Sequence, residues 1–326
     1  MSMNDNLRRI GVLTSGGDAP GMNAAIRAVV RTCVSNGIKP VGVYRGFNGL
    51  IHSDVIEMDA RSVNGITKKG GTVLYTARCP EFKEKEYQQQ AVNNCKYLGL
   101  GGLVILGGDG SFKGAEALSR HGINTIAIPA TIDNDIGCTE YSIGFDTAAN
   151  TAVEVIDRLD DTMQSHERCS IVEVMGHGAG HLALYTGLSV GATAILVPEK
   201  KFDFEHDVAE AIRESAFRGK HHHMIVVSEG VANTMELKDK IVEELGIDTR
   251  ITILGHVQRG GSPSAQDRVM ATRMGHMAVE ALLQGQTSQV VCYRDSQLIL
   301  TPIADALKMK RTLDPHMFKV SREVIV

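Results

Sequence analysis

Short apolar runs that end at glycine alternate along the chain with segments of helical spacing. Residues 103–106 (LVIL) lead directly into residues 107–111 (GGDGS), and residues 9–14 lead in the same way into a glycine turn. A continuous apolar run of this length predicts a strand that is buried on both faces of a parallel sheet. Because a helix-forming segment follows each turn, the pattern predicts an α/β fold of strand–turn–helix units.

The same pattern continues over most of the chain and predicts two domains. The predicted strands cover residues 9–14, 39–44, 103–106, 124–129, 170–178, 194–198, 224–230 and 249–254, and the predicted helices cover residues 24–31, 112–118, 144–158, 207–217 and 298–310. A second alternating set begins near Cys169, and 326 residues suit two domains of roughly 100–200 residues each.

Composition narrows the functional class. The chain is 43% hydrophobic and 22% charged, as in ordinary soluble globular proteins, and its formal net charge of −4 argues against nucleic acid as the main partner. No apolar run approaches the length of a membrane span. The polar residues 1–9 lack an apolar signal core, so we expect a cytoplasmic protein.

Cysteines and histidines give no strong indication of a metal site. The six cysteines are far apart and form no CxxC pair, which predicts free thiols in a reducing compartment and no zinc site. Residues 221–223 (HHH) precede an apolar run, and we expect them to lie in an exposed loop, with metal binding as the alternative.

The turn after residues 103–106 has the features of a phosphate site. A strand, a glycine turn and a helix N-terminus present free N–H groups and the positive end of the helix dipole to an anion. Asp109 lies within this turn, and its carboxylate would repel a phosphate unless a cation lay between them, which predicts a Mg²⁺ contact. A turn or N-cap role for Asp109 is supported equally well by this stretch alone.

A second acidic loop follows the strand at residues 124–129. It contains Thr131, Asp133 and Asp135, and ligands of open α/β sheets bind at the carboxyl ends of strands. Asp and Asn also form turns without any chemistry. Two acidic strand ends, one beside a glycine turn, favour a functional site.

Other loops give weaker signals. Residues 14–23 contain neither a Walker A sequence nor GxGxxG, so a dinucleotide site is weakly supported. Arg78 is a candidate phosphate contact or a solvated surface arginine. His256 and Arg259 flank a glycine pair in a manner that suits an anion, because arginine offers a bidentate fork, and a structural role for His256 is the alternative.

Five motifs occur in an order that closely resembles bacterial 6-phosphofructokinases. They are residues 16–23 (GGDAPGMN), 107–111 (GGDGS), 131–135 (TIDND), 172–176 (VEVMG) and 255–261 (GHVQRGG). The resemblance extends from about residue 9 to about residue 310. It implies two Rossmann-like, three-layer αβα domains with mostly parallel sheets, and Mg²⁺-dependent transfer of the γ-phosphoryl group of ATP to the 1-hydroxyl of fructose 6-phosphate.

The resemblance also implies domain bounds and an assembly. The ATP domain would comprise residues 1–144 and about 259–310, the fructose 6-phosphate domain residues 145–258, and a C-terminal tail residues 311–326. The assembly would be a homotetramer with sites at subunit interfaces.

By resemblance, each motif residue has a role. Near the transferred phosphoryl group, Asp133 would act as the base, Asp135 and Thr131 would assist the transfer, and Asp109 would bind Mg²⁺. The ATP contacts are Gly17, Arg78, Cys79, Gly108, Asp109, Gly110 and Ser111. The sugar-phosphate contacts are Thr131, Ile132, Asp133, Met175, Gly176, His177, Glu229, His256 and Arg259, with Arg168 and Arg250 reaching in from a neighbouring subunit. Arg27 and Arg31 match effector-site positions.

The chain departs from the family pattern at several positions. His177 stands where an arginine is common, and an imidazole that is largely neutral at pH 7 would weaken phosphate contacts. Two effector arginines are replaced by Ala60 and Asp160, and His221 ends a stretch of effector-site lysines. These changes predict blunted or altered control by ADP and phosphoenolpyruvate.

The phosphoryl donor distinguishes two branches of the family. Pyrophosphate-dependent relatives typically carry Asp where this chain has Gly110, and Lys where it has Ala130. Both positions favour ATP, although Ala130 is usually Gly in the ATP enzymes. The alternatives are a pyrophosphate-dependent enzyme, a kinase for another phosphorylated sugar, and a non-catalytic paralogue that senses sugar phosphate or nucleotide.

Overall fold

The structure is a computed structural model that describes residues 7–324. Residues 1–6, which belong to the polar N-terminal stretch, and residues 325–326, at the end of the expected tail, lie outside the described residues. Strands and helices alternate along the chain, and the α/β prediction is confirmed. The strands are β1 (Arg9–Thr14), β2 (Lys39–Val43), β3 (Val55–Glu57), β4 (Gly102–Gly107), β5 (Thr125–Pro129), β6 (Cys169–Val174), β7 (Ala194–Leu196), β8 (His223–Ser228), β9 (Thr249–Ile253), β10 (Gln289–Arg294) and β11 (Gln297–Pro302).

Helices connect most of these strands. The α-helices are α1 (Met22–Ser35), α2 (Gly46–His52), α3 (Lys85–Tyr97), α4 (Asp109–Arg120), α5 (Phe145–Gln164), α6 (His181–Ser189), α7 (Glu210–Phe217), α8 (Thr234–Leu245), α9 (Ala265–Leu283), α10 (Ile303–Ala306) and α11 (Pro315–Val324). Short 3₁₀ helices span Ile66–Lys68, Pro80–Lys83 and Gly255–Arg259, and a π-helical turn spans Glu205–Ala209.

The chain divides into two compact units. The first unit comprises residues up to Thr131, Ile136–Thr147 and Arg259–Arg311. The second unit comprises Ile132–Asp135, Ala148–Gln258 and the residues from Thr312 onward.

The first unit contains a seven-stranded sheet in the order β11-β10-β5-β4-β1-β2-β3. All neighbours are parallel except the two outermost pairs, β2–β3 and β10–β11. Strand β4 is buried along its whole length, as its continuous apolar run predicts for a strand covered on both faces. The chain leaves β1 toward β2 on one side and later returns to β4 on the other. The carboxyl ends of β1 and β4 therefore form a topological switch point, where ligands of such sheets bind.

The second unit contains a four-stranded, wholly parallel sheet in the order β7-β8-β6-β9. The register pairs Val174 of β6 with Ser228 of β8, so both strands end at the same edge. Strand β9 is the outer strand beside β6, and its last residue, Ile253, is exposed.

Residues 298–310 are not a helix, and that prediction is wrong. Residues Gln297–Pro302 form β11, which pairs antiparallel with β10, and only Ile303–Ala306 are helical. Asp295 and Ser296 connect the two strands with positive φ at both positions, as a two-residue type I′ hairpin turn requires. Burial alternates along β11 with the period of two of a strand, but residues 298–300 are all apolar, so the sequence itself does not show that period.

The histidine run also differs from expectation. His223 is 2% exposed and begins β8, so the run is not an exposed loop, although His221 is exposed. Burial lowers the pKa of His223 to about 4, with the neighbouring Lys220 and histidines contributing.

Beyond Arg311, where the sequence has no motif, α11 packs its buried Phe318 into a core of the second unit.

Candidate active site

Backbone geometry at the switch point forms a cradle for an anion. Helix α4 begins at Asp109, Gly108 is its N-cap, and the first-turn N–H groups lie at its positive end. The side chain of Ser111 donates to the carbonyl of Ser15 over 3.2 Å, which links this turn to the end of β1. A Cβ on Gly107 would overlap both the Ser111 hydroxyl and the Ser15 carbonyl, so only glycine fits at this position.

The side chain of Asp109 is exposed on this cradle. Gly108 and Gly110 lie on either side of it, and a Cβ added at either would meet no atom within 4 Å. Carboxylate oxygen is a donor that Mg²⁺ prefers, and Mg²⁺ commonly takes one or two carboxylates and completes its shell with water and substrate phosphates. No group of three or more His, Cys, Asp or Glu residues within residues 7–324 could hold a metal by itself. The exposed carboxylate of Asp109 is of the type that can serve as one such ligand.

The turn after β1 is bound to a second loop. Gly16 has a φ of +89°, and its carbonyl accepts a hydrogen bond of 2.8 Å from the hydroxyl of Thr76. Arg78 is exposed beyond Thr76, and Cys79 is half-buried, with a pKa raised by burial. The structure thus links the loop of Arg78 and Cys79 to the glycine turn.

Arg259 lies in the first unit, against the glycine turn. A Cβ on Gly17 would overlap the guanidinium of Arg259, which donates to the carbonyl of Asp18 over 3.2 Å. The sequence grouped Arg259 with the sugar-phosphate residues, and its contact with Gly17 was not foreseen.

The acidic loop after β5 begins beside the same cradle. The N–H of Ala130 donates to the carbonyl of Gly107 over 3.0 Å, and that of Thr131 donates to the hydroxyl of Ser142 over 3.1 Å.

Ile132 and Asp133, the next residues, belong to the second unit and are buried, with Asp133 7% exposed. Asp135 is exposed. The loop thus contains one shielded carboxylate and one carboxylate open to solvent.

Asp267 was missed by sequence reasoning and organises the segment that holds Thr131. Its buried carboxylate accepts from the hydroxyl of Tyr141, from the N–H of Gly144 at 2.7 Å, and from both the N–H and the hydroxyl of Thr147. Burial raises the pKa of this carboxyl, although the hydrogen bonds act in the opposite direction.

The sequence around Asp267 does contain a local pattern, at the start of α9. Ser264 caps α9 by accepting from the N–H of Asp267, which is the S-x-x-D pattern of a capping box. The partners in residues 141–147 lie more than 100 positions away, so their contact could not be predicted from local spacing.

In the second unit, four of the predicted sugar-phosphate residues gather at the carboxyl ends of β6 and β8. One oxygen of Glu229 accepts from the N–H of Gly176 at 3.2 Å and from that of His177 at 2.7 Å. His177 is exposed and has a φ of +49°, a conformation uncommon for a residue with a side chain. The N–H of Met175 donates to the side chain of Gln258 over 3.3 Å.

Two further residues belong to the elements around these strand ends. His256 is exposed on the 3₁₀ helix that follows β9. Burial raises the pKa of Glu173, and the charge of Glu229 adds to this effect.

Arg168 and Arg250 lie at the opposite end of this sheet. Arg168 precedes β6, Arg250 is the second residue of β9, and both pair with Asp248, at 2.7 and 2.8 Å. Because β6 is six residues long, at about 3.3 Å per residue the two ends are roughly 20 Å apart. The structure therefore does not bring these arginines to Met175 and Glu229 of the same chain.

The candidate effector residues are divided between the units. In the first unit, Arg27 and Arg31 lie on α1, and Arg31 donates to the side chain of Asn64 over 2.9 Å. In the second unit, Asp160 lies 3.5 Å from the ring of His222. The amine of Lys220 approaches the hydroxyl of Thr193 at 3.4 Å, and burial lowers its pKa.

Comparison with known proteins agrees with these features. A profile of the family described as "Phosphofructokinase" matches residues 9–282. The chain is 51% identical to a protein of Clostridium novyi over 97% of this chain and 99% of the relative, and 49% identical to one of Clostridium botulinum strain Loch Maree over 97% and 98%. Both relatives are named ATP-dependent 6-phosphofructokinase.

Among solved structures, the phosphofructokinase of Saccharomyces cerevisiae is 34% identical with a TM-score of 0.86. The similarity covers 97% of this chain and 46% of the yeast chain. In the part of the chain that the structure describes, no helix is long and apolar enough to cross a membrane.

Proposed function

Because the chain belongs to the phosphofructokinase family, we propose that it is an ATP-dependent 6-phosphofructokinase. With Mg²⁺, it transfers the γ-phosphoryl group of ATP to the 1-hydroxyl of fructose 6-phosphate and forms fructose 1,6-bisphosphate, a step of glycolysis. The observation that carries the proposal is the glycine cradle at the ends of β1 and β4, with Asp109 exposed on it. Since glycolysis is a cytoplasmic pathway, we place the protein in the cytoplasm.

The first unit supplies the nucleotide contacts. Phosphoryl transfer depends mainly on positioning the reactants and neutralising charge. Residues 108–111 and Gly17 contact the phosphates, and Arg78 and Cys79 contribute from the neighbouring loop. Asp109 would hold the Mg²⁺ that accompanies ATP, which would supply the neutralisation of phosphate charge.

The acidic loop supplies the proton acceptor. We assign Asp133 as the base that accepts the proton of the attacking hydroxyl, because it is the shielded carboxylate of its loop. A carboxylate held out of bulk water is better placed for proton transfer in a closed site. Thr131 and Asp135 assist at the transferred group, and the backbone of Ile132 contacts the substrate.

The second unit supplies most of the sugar-phosphate contacts. Met175, Gly176, Glu229 and His256 are the sugar-phosphate residues of this unit, and Arg259, which the resemblance assigns to the same ligand, belongs to the first unit. His177 occupies a position where the family commonly has arginine. Its N–H is bound to Glu229, so its left-handed backbone is held in place while the imidazole remains exposed.

The positions of Arg168 and Arg250 support an assembly of more than one copy. Both are about one strand length from Met175 and Glu229, so within one chain they cannot serve the same phosphate. We propose a homotetramer in which these arginines enter the pocket of a neighbouring copy. Light scattering of the purified protein tests the mass, and a monomer would contradict the assignment.

The candidate effector site departs most from the family pattern. Asp160 replaces an arginine and lies beside the ring of His222, and Ala60 removes a second cation. An anion at position 160 repels a phosphorylated effector. We expect weak responses to ADP and phosphoenolpyruvate, and strong activation by ADP in a titration would contradict this.

The donor is tested by a coupled assay for fructose 1,6-bisphosphate. The protein is supplied with Mg²⁺ and fructose 6-phosphate, and with either ATP or pyrophosphate. Turnover with ATP alone is expected, because the open space at Gly110 leaves room for a nucleotide. Turnover with pyrophosphate alone would contradict the donor assignment, and no turnover with either would favour another sugar phosphate or a regulatory role.

A further inference from the structure

Tyr75 adopts a backbone conformation that its side chain disfavours. Its φ is +55°, in the left-handed region that glycine adopts freely and bulky residues rarely do. Such outliers persist where surrounding contacts hold them, and they are concentrated at ligand-binding sites.

Hydrogen bonds hold this conformation from both sides. The carbonyl of Tyr75 accepts from the hydroxyl of Thr14 over 2.8 Å, and its N–H donates to the carbonyl of Thr72 over 3.2 Å. The next residue, Thr76, donates to the carbonyl of Gly16. Tyr75 is therefore fixed at the carboxyl end of β1, directly beside the glycine turn.

The aromatic ring of Tyr75 gains little stabilisation from burial. Tyr75 is 58% exposed, so core packing does not explain an aromatic residue there. Its ring centroid lies 5.7 Å from that of Tyr44, at an interplanar angle of 36°. The Arg45 guanidinium, which is paired with Asp54, lies 5.6 Å from the Tyr75 centroid. Two tyrosine rings and a cation thus gather on the surface beside the phosphate cradle.

A nucleotide base is the ligand chemistry that this group suits. An aromatic ring and a guanidinium both stack on the face of a heterocyclic base, and such stacking depends on ring area rather than on hydrogen bonding. We propose that Tyr75 is a stacking platform for the adenine ring of the phosphoryl donor and contributes to the choice of nucleotide over inorganic phosphate donors. This inference rests on the proposed function, and it adds a base contact that the five sequence motifs do not contain.

Three variants distinguish the effect of the aromatic ring at position 75 from the effect of its backbone conformation. Tyr75→Gly removes the ring and supplies the residue that tolerates the observed φ, so the fold should be retained. Tyr75→Phe keeps the ring and the strain. Tyr97→Ala removes another tyrosine of the first unit, which is 87% exposed at the end of α3, and serves as the matched control.

Calorimetric titration of the full chain with Mg²⁺ and a non-hydrolysable ATP analogue gives the readout. The Kd is expected to rise about tenfold in Tyr75→Gly, within the range of base–aromatic stacking, and to change less than twofold in Tyr75→Phe and Tyr97→Ala. Competition by inorganic tripolyphosphate, which has no base, should be equal in all four proteins.

Two results would contradict the proposal that Tyr75 stacks on the adenine ring. One is an unchanged Kd for the analogue in Tyr75→Gly, and the other is an equal loss of tripolyphosphate binding, which would show that Tyr75 acts on the phosphate turn. Turnover of ATP by the unaltered protein, measured in parallel, separates these results from a failure of the proposed function itself.

Discussion

The two units present their predicted site residues in different ways. In the first unit, the predicted nucleotide residues gather around the ends of β1 and β4, where the Ser111 hydroxyl donates to the carbonyl of Ser15. In the second unit, the sugar-phosphate residues divide between the two ends of one sheet, with Glu229 at one end and Arg250 at the other. Under the proposed function, one chain would contain the nucleotide residues together, whereas the sugar-phosphate site would take Arg168 and Arg250 from a second copy.

The largest effect is expected at the proposed base. Replacing Asp133 by Ser should lower kcat about a thousandfold, because general base catalysis contributes roughly 10²–10⁴-fold. The KM for fructose 6-phosphate should change little, since the second-unit contacts remain. Steady-state kinetics measure both, and Asp135→Asn, which alters the exposed carboxylate of the same loop, is the comparison. Unchanged kcat in Asp133→Ser would refute the assignment.

A substitution in the cradle tests whether the nucleotide site is complete in the first unit. Gly110→Asp should raise the KM for ATP about a hundredfold, because the new carboxylate occupies the space for the phosphates and repels them. The KM for fructose 6-phosphate should be retained. Thermal unfolding should be little changed, since the added side chain meets no atom within 4 Å.

Lys113→Asp is the control, with a carboxylate one turn further along the exposed face of α4. An ATP KM for Gly110→Asp that stays near the wild-type value would show that the turn does not bind the nucleotide.

Acid should destabilise the second unit through His223. Its pKa is lowered to about 4 from an ordinary value near 6.5, so the unfolded chain binds a proton in this window while the folded protein does not. Stability is therefore complete above pH 6.5 and is lost as the pH falls toward 4, by about 2 kcal/mol between pH 6.5 and 5.

Urea unfolding followed across this pH range measures the loss. His223→Gln should remove most of this pH dependence, and His221→Gln, at an exposed position, should leave it intact. Equal pH profiles for the unaltered protein and His223→Gln would exclude His223 as the cause.

Much of this architecture could be predicted from local sequence, for identifiable reasons. The run at residues 103–106 is apolar throughout because β4 is covered on both faces, and a side chain at position 107 would overlap the hydroxyl of Ser111, four residues along the chain. These constraints act within a few residues, so the strand and the turn could both be identified.

Features that depend on distant parts of the chain could not be predicted in this way. The partners of Asp267 lie at residues 141–147, and Arg259 contacts a glycine more than 200 positions away. Strand β11 was mistaken for a helix because a short apolar segment does not reveal its period until its partner β10 is known. The strained conformation of Tyr75 is likewise visible only in the structure.

The central claim, that the sugar-phosphate site is shared between copies, is tested most directly by subunit mixing. Arg250→Ala leaves the base intact, and Asp133→Ser leaves the arginine intact, so each variant alone should be nearly inactive at low fructose 6-phosphate. Dissociating and reassembling the two together should restore activity, because some hybrid sites take Asp133 from one copy and Arg250 from its neighbour. Recovery well above the sum of the two separate variants is the predicted result, and activity no greater than that sum would contradict the shared site.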